Sequence, residues 1–351
     1  MYILLAILAF GILIGVHEAG HFFAAKAFGV RVNEFALGMG PKILKKQGKE
    51  TLYSLRLLPL GGFCAMEGED GDSEDPRAFT TRPVWQRAII LCAGAAMNFL
   101  LGFILVLCIS PNASFTEPVI SGFMPDCPYE GENAMQVGDQ IWTIDGHRIF
   151  FTTNVSDYLG RSGDTHDITL LRDGKRVTLR GIEMTQREYA LENGQTVLRY
   201  GLYFAPREFG FGADLKYSWY ECLDFVRLVW RSLGDLIHGA VNVRDLSGAV
   251  GIVDYVNQTA QAAESTEEVA FDFGYIFALI AVNLAVMNML PLPALDGGRV
   301  FLLLVTALIQ RITRKKLDPK YEGYVHTAGF VLLMGLMAFV LFNDVVKIVA
   351  R

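Results

Sequence analysis

Four long apolar runs divide the chain, at about Met1 to Phe28, Val84 to Ile109, Phe271 to Leu290 and His326 to Val349. Each is long enough to cross a bilayer as a helix. A fifth run, Val300 to Ile309, is too short to cross alone. Gly29 and the Gly38-Met39-Gly40-Pro41 cluster stop helical structure after the first run. Thr51 to Met66 is β-prone around Gly61-Gly62 and too apolar for an ordinary surface loop, which predicts a hairpin dipping toward the membrane, with a plain surface hairpin as the alternative. Glu67 to Arg82 is polar and acid-rich and reads as a flexible connector. Between the second and third runs the period shortens. Val137 to Ile149 alternates around Asp145-Gly146, Asp167 to Leu179 does so around Asp173-Gly174, and a short helix is expected at about Thr153 to Leu159. Trp219 to Val241 carries Leu223, Val226, Trp230, Leu233 and Ile237 broadly on one face, the pattern of an amphipathic helix lying on a membrane or against a neighbouring domain.

With 351 residues, 52% of them hydrophobic, the chain suits a polytopic α-helical membrane protein of four transmembrane helices with a sizeable inserted domain. The pattern divides it into residues 1–109 (two spans and the hairpin), 110–270 (the insert) and 271–351 (two further spans). No basic residue precedes the first span, whereas Lys26, Arg31, Lys42, Lys45, Lys46, Lys49, Arg56, Arg77, Arg82 and Arg87 follow it, so its far end is expected in the cytoplasm. The insert holds 23 acidic against 13 basic residues and is placed outside, with both termini. The first run lacks a basic leader and a cleavage site, and is read as a retained span. Five cysteines, Cys64, Cys92, Cys108, Cys127 and Cys222, show no metal-ligand spacing; only Cys127 and Cys222 fall in the insert, and they do not fix a redox compartment.

Charge enters the first span in one burst. Tyr2 to Val16 carries none, and then comes His17-Glu18-Ala19-Gly20-His21. On a helix His17 and His21 project from one face, the spacing for two imidazoles to share Zn²⁺, with Glu18 beside them to hold and deprotonate a water. Sixteen residues at about 1.5 Å each place His17 roughly 24 Å into a hydrocarbon core about 30 Å thick. The competing reading is a pair of histidines hydrogen-bonded to neighbouring helices. A zinc enzyme needs a third ligand and one open position. No histidine follows at metzincin spacing, Glu34 lies in a loop too close behind, and the remaining acid in an apolar setting is Asp296, within Asn288-Met289-Leu290-Pro291-Leu292-Pro293-Ala294-Leu295-Asp296-Gly297-Gly298. The prolines break the third span and the glycines free the backbone after the acid.

HExxH in one span with NxxPxPxLDGG in a later one resembles the site-2 protease family of intramembrane metalloproteases, closest to the bacterial regulator of sigma-E protease branch. Leu58-Pro59-Leu60-Gly61-Gly62-Phe63, Ala93-Gly94 with Asn98, and Leu246 to Ile252 match that branch, while Ala95 and Ala249 stand where proline is usual. The resemblance implies His17, His21 and Asp296 as ligands of a Zn²⁺ cofactor, Glu18 as general base and Asn288 as a polar group near the scissile backbone. It implies a zinc endopeptidase of the bacterial cytoplasmic membrane, with its active site near the cytoplasmic side. Its partners would be the bilayer and single-span membrane proteins, such as trimmed anti-sigma factors or remnant signal peptides, and no nucleic acid. To hold such a substrate extended, Tyr53, Ser54, Leu55 and Arg56 are the candidate edge strand. About Pro118 to Thr185 resembles a PDZ domain of the kind attached to bacterial envelope proteases, on the run from Gln136-Val137 through Gly138-Asp139 and Ile144-Asp145-Gly146 and on Arg172-Asp173-Gly174-Lys175. Gly122-Phe123-Met124 is the nearest approach to a carboxylate-binding loop, so exclusion of bulky ectodomains is favoured over capture of substrate tails. A non-proteolytic PDZ scaffold with structural zinc is the alternative, and an intact Glu18 argues against it. A zinc transporter would want a second intramembrane ligand set.

Overall fold

A computed structural model describes residues 2–69, 71, 73–113, 116–161, 163–190, 195–240, 251, 258, 265–314 and 320–349. The chain divides into two compact units, one formed by Met1–Ile109 with Phe225–Arg351 and the other by Ser110–Asp224. The motif read at Leu246 to Ile252 lies, apart from Gly251, outside the described residues.

In the first unit, helix α1 (Tyr2–Ala27) is apolar apart from the HEAGH cluster and Lys26, whose charge complements the carbonyl end. Gly29, at φ +71°, closes it. Helix α2 (Val84–Ile109) packs against α1 at a crossing with no room for side chains: a Cβ on Gly20 would stand 2.3 Å from the Ala93 carbonyl oxygen. Helix α5 (Thr266–Asn288), which follows α3 (Thr152–Leu159) and α4 (Phe211–Ile237) in the chain, crosses α2 at Gly102, where a Cβ would meet Val282 at 2.7 Å. Leu13, Phe273, Phe277, Ile280 and Ala281 fill a core here. Helices α6 (Asp296–Thr313) and α7 (Lys320–Val349) complete the unit. Four described helices are long and apolar enough to span a membrane, over Ile7–Ala27, Val84–Ile109, Glu267–Asn288 and Gly323–Asn343. The short run from Val300 lies inside α6, outside these four.

The hairpin is larger than the sequence predicts. Strand β1 (Val32–Gln47) occupies the segment where glycines predicted only an interruption, and it pairs with β2 (Leu52–Met66) twice over. Glu34 faces Leu52 on one side and Ala65 on the other, while Lys45 and Lys46 face Ser54 and Tyr53. Both strands therefore fold back, giving four ladder segments in the order 62–66, 32–37, 52–56 and 42–47. Gly38 and Gly61, at φ +86° and +83°, take the bends. The Glu34 carboxylate ties the segments together, accepting from Ser54 Oγ (2.7 Å), Arg56 (2.9 Å) and Lys42 (2.9 Å). Partial burial works to raise its pKa, but these three donors outweigh it and hold the carboxyl down at about 2.

The connector is anchored, not loose, among its described residues. The Glu67 N–H donates to Arg31, the Phe79 N–H to Glu67, and the Arg82 guanidinium to the Gly29 carbonyl. Phe79 and Ala78 are buried against the end of α1 and the hairpin. Apolar side chains in a polar stretch supplied the hold that composition concealed.

The second unit is a six-stranded antiparallel sheet of β3 (Thr116–Phe123), β4 (Gln140–Ile144), β5 (His147–Arg148), β6 (Thr165–Arg172), β7 (Lys175–Glu183) and β10 (Leu202–Pro206), with β5 on β4 and the others in the order β10-β3-β4-β6-β7. A separate hairpin joins β8 (Arg187–Ala190) to β9 (Thr196–Arg199). Helix α3 (Thr152–Leu159) covers a core of Ile120, Ile141, Ile144, Ile149, Val155, Ile168 and Leu170. Asp145-Gly146 and Asp173-Gly174 turn with positive φ at both residues, as the sequence predicts. Buried Asp139 is gripped bidentately by Arg172. The sheet runs past residue 185, because β10 pairs with β3, and Gly122 faces Tyr203 in that ladder instead of forming an open loop. Helix α4 (Phe211–Ile237) begins eight residues before the amphipathic stripe; residue 241 is outside the description.

Candidate metal centre

Helix α1 presents His17 and His21 one turn apart, and the turn between α5 and α6 delivers the acid to them. That turn is tight. Ala294 sits at φ +75°, and a Cβ on Gly297 or Gly298 would lie 2.3 Å from Met289 or 2.0 Å from the Leu292 carbonyl oxygen, so only glycine lets α6 start folded back on the end of α5. Asp296 Oδ2 then lies 3.1 Å from His17 Nε2 and 3.3 Å from His21 Nε2, and the two Nε2 atoms are 3.2 Å apart. Among the described residues these three form the one group of side chains able to share a metal ion.

The protonation pattern suits a cation. His21 Nδ1 stands 2.8 Å from the Ile90 carbonyl oxygen, an acceptor only, so Nδ1 carries a proton and Nε2 is the ring nitrogen turned toward Asp296. Asp296 Oδ2 is buried, and the two imidazole Nε2 atoms are the polar side-chain atoms set against it. Because Nδ1 keeps its hydrogen bond to the main chain, Nε2 can give its lone pair to a cation without the ring losing its hold on the protein. Two imidazole nitrogens and one carboxylate oxygen are a donor set that fits zinc and leaves a coordination position free for reaction.

Glu18, the neighbour of His17, lies against the Gly62 turn of β2, its Cγ 3.2 Å from where a Gly62 Cβ would be. A cavity of about 290 Å³ is bordered by His17, Glu18, Gly62, Asn98, Asn288 and Asp296. Thus His17, Glu18, Asn288 and Asp296 line one space, and His21 stands behind it in the metal cluster. Tyr53, Ser54, Leu55 and Arg56 do not join them. Their segment is paired with residues 32–37 on one side and 42–47 on the other, so it has no free ladder edge; the part of β2 that borders the cavity is Gly61-Gly62.

Gly94 and Asn98, which the sequence marks only as part of the second-span resemblance, both touch the site. A Cβ on Gly94 would stand 2.4 Å from His21 Nε2 and 2.7 Å from His17 Cε1. Asn98 lies 3.4 Å from His17 Nδ1. Their spacing from Ile90, four residues at each step along α2, was the available signal.

The sequence matches the model of peptidase family M50 over residues 5–336. The chain belongs to that family. Among relatives of this M50 peptidase, a protein of Clostridium perfringens given a zinc metalloprotease name is 36% identical over 348 residues, covering 99% of both chains. The regulator of sigma-W protease of Bacillus subtilis is 28% identical, covering 97% of each, and a zinc metalloprotease of Bacillus licheniformis is 27% identical, covering 97% and 98%. This M50 peptidase is therefore a zinc metalloprotease of the site-2 type, with four apolar helices suited to a membrane.

Proposed function

We propose that the peptidase hydrolyses single-span proteins within or at the cytoplasmic edge of the bacterial cytoplasmic membrane, using His17, His21 and Asp296 as zinc ligands and Glu18 as general base. The observation that carries this is the meeting of both Nε2 atoms with Asp296 Oδ2 beside Glu18 on one cavity. Zinc, when bound, supplies Lewis-acid chemistry, making water more acidic and polarising a carbonyl. Glu18, on the same cavity, holds the attacking water and takes its proton. The Asn288 amide, on the same cavity, donates to the oxygen that gains charge during attack. A substrate helix hides its amides in its own hydrogen bonds, so it must unwind; Gly61 to Cys64, paired with β1 on one side only, is the stretch of β2 able to hold it extended.

Basic residues behind the first span support a cytoplasmic active site and an external second unit. The antiparallel sheet of that unit, with α3 across it and Asp-Gly turns, supports a PDZ-like domain that excludes bulky ectodomains. The sigma-W relative supports trimmed anti-sigma factors as one substrate class. The test is purified protein, assayed for zinc and for cleavage of a panel of trimmed and untrimmed single-span proteins. Cleavage confined to trimmed members, within their spans, is expected; zinc-independent cleavage, or none across the panel, contradicts the reading.

A further inference from the structure

Helix α2 meets both imidazoles through one face, with Ile90, Gly94 and Asn98 following each other at four-residue intervals. The Ile90 carbonyl settles the proton of His21 on Nδ1. Gly94, lacking a Cβ, lets both rings lie against the helix. One histidine remains to be oriented. His17 points Nε2 at Asp296 and His21, so its Nδ1 is the atom left to be fixed, and the group within reach is the Asn98 amide at 3.4 Å.

Asn98 is 1% exposed, in the apolar interior of α2. The orientation with the NH₂ group toward His17 does not suit a ligand. Nδ1 becomes an acceptor, which places the neutral ring's proton on Nε2, against the carboxylate cluster where a lone pair is needed. An amide is planar and its oxygen and nitrogen are nearly the same size, so a half-turn about the Cβ–Cγ bond exchanges them in place. Oδ1 then accepts from His17 Nδ1–H, and His17 Nε2 is freed in the same way as His21 Nε2.

We propose that Asn98 is a positioning residue whose side-chain carbonyl fixes the tautomer and ring orientation of His17, as the Ile90 main-chain carbonyl does for His21. The inference rests on the reading of His17 as a zinc ligand. An acceptor on the far nitrogen of a ligating histidine raises its basicity and fixes its direction, and removing such a partner weakens metal binding by about 10- to 100-fold.

The experiment titrates the zinc-free full chain in detergent with zinc against a chromophoric chelator, for the parent and for Asn98→Leu, Asn98→Ala, Asn98→Asp and His17→Ala. Thermal unfolding of the zinc-free proteins reports the fold. Loss of zinc affinity by about 10- to 100-fold in Asn98→Leu and Asn98→Ala is expected, with Asn98→Asp, which keeps an acceptor and has no N–H to give, at or above the parent. If Asn98→Leu does not fold, the comparison of Asn98→Asp with Asn98→Ala decides. Parent-like affinity in the leucine or alanine variant makes Asn98 a packing residue and overturns the proposal. So does a fall in Asn98→Asp as deep as in Asn98→Ala, because the amide N–H would then be the active group. Unchanged affinity in His17→Ala shows instead that the ligand assignment has failed.

Discussion

Gly94 lies so close to His21 that a Cβ on it would stand 2.4 Å from the ring's Nε2. The contact is made in the apolar middle of two helices, where neither ring has room to retreat: Gly20 of α1 is already against the α2 backbone. Gly94→Ala is therefore expected to displace both imidazoles, lowering zinc affinity at least as far as loss of a supporting hydrogen bond does, about 10- to 100-fold. Overpacking should also cost about 1–3 kcal/mol of stability. Zinc titration and thermal unfolding of the variant check this. Parent-like zinc binding would mean the helices separate without consequence for the site.

Asp296 brings the anionic donor to the cluster, 3.1 and 3.3 Å from the two Nε2 atoms. Asp296→Asn keeps its shape and removes its charge. Weaker zinc binding is expected along with lost cleavage, read by competition titration. Full zinc affinity with lost cleavage would move Asp296 from ligand to another role.

Glu34 gives the hairpin a pH dependence of known sign. Its carboxyl titrates at about 2 when folded, below its ordinary value of 4.5, because Ser54, Lys42 and Arg56 together outweigh its burial. The unfolded chain therefore binds the proton first as pH falls. The stabilisation is complete above 4.5 and is lost between 4.5 and about 2. Thermal midpoints of parent and Glu34→Gln protein should differ by a constant amount from neutral pH to about 5 and converge below it. A difference that stays flat into acid would show that Glu34 is not held by these donors.

What the sequence makes legible follows from range of interaction. The spans could be read because fifteen uncharged residues before His17, or the apolar run ending at Ile109, state their surroundings residue by residue. Asp145-Gly146 and Asp173-Gly174 state a turn locally. The hairpin is different: Glu34 pairs with Leu52 and with Ala65, partners 18 and 31 positions away, and no local pattern says that one residue has two. Hence the segment from Tyr53 to Arg56, β-prone as read, turned out to be enclosed. Asn98 was equally opaque, because an asparagine in an apolar run shows that it needs a partner without showing which.

The second unit is expected to filter substrates. Because β10 closes onto β3, a clean removal spans Thr116–Pro206, not residues 118–185. That deletion should allow untrimmed substrates to be cut while trimmed ones are cut about as before. Retained zinc with cleavage of trimmed substrates abolished would make the unit a receptor instead.

Glu18 borders the cavity without being one of the three converging donors, so its chemistry is separable from metal binding. The most direct measurement is zinc content and cleavage rate, taken on the same preparation of Glu18→Gln protein in membranes with a trimmed single-span substrate. The account predicts zinc at the parent ratio with cleavage lost. Zinc at that ratio with cleavage at the parent rate would contradict it.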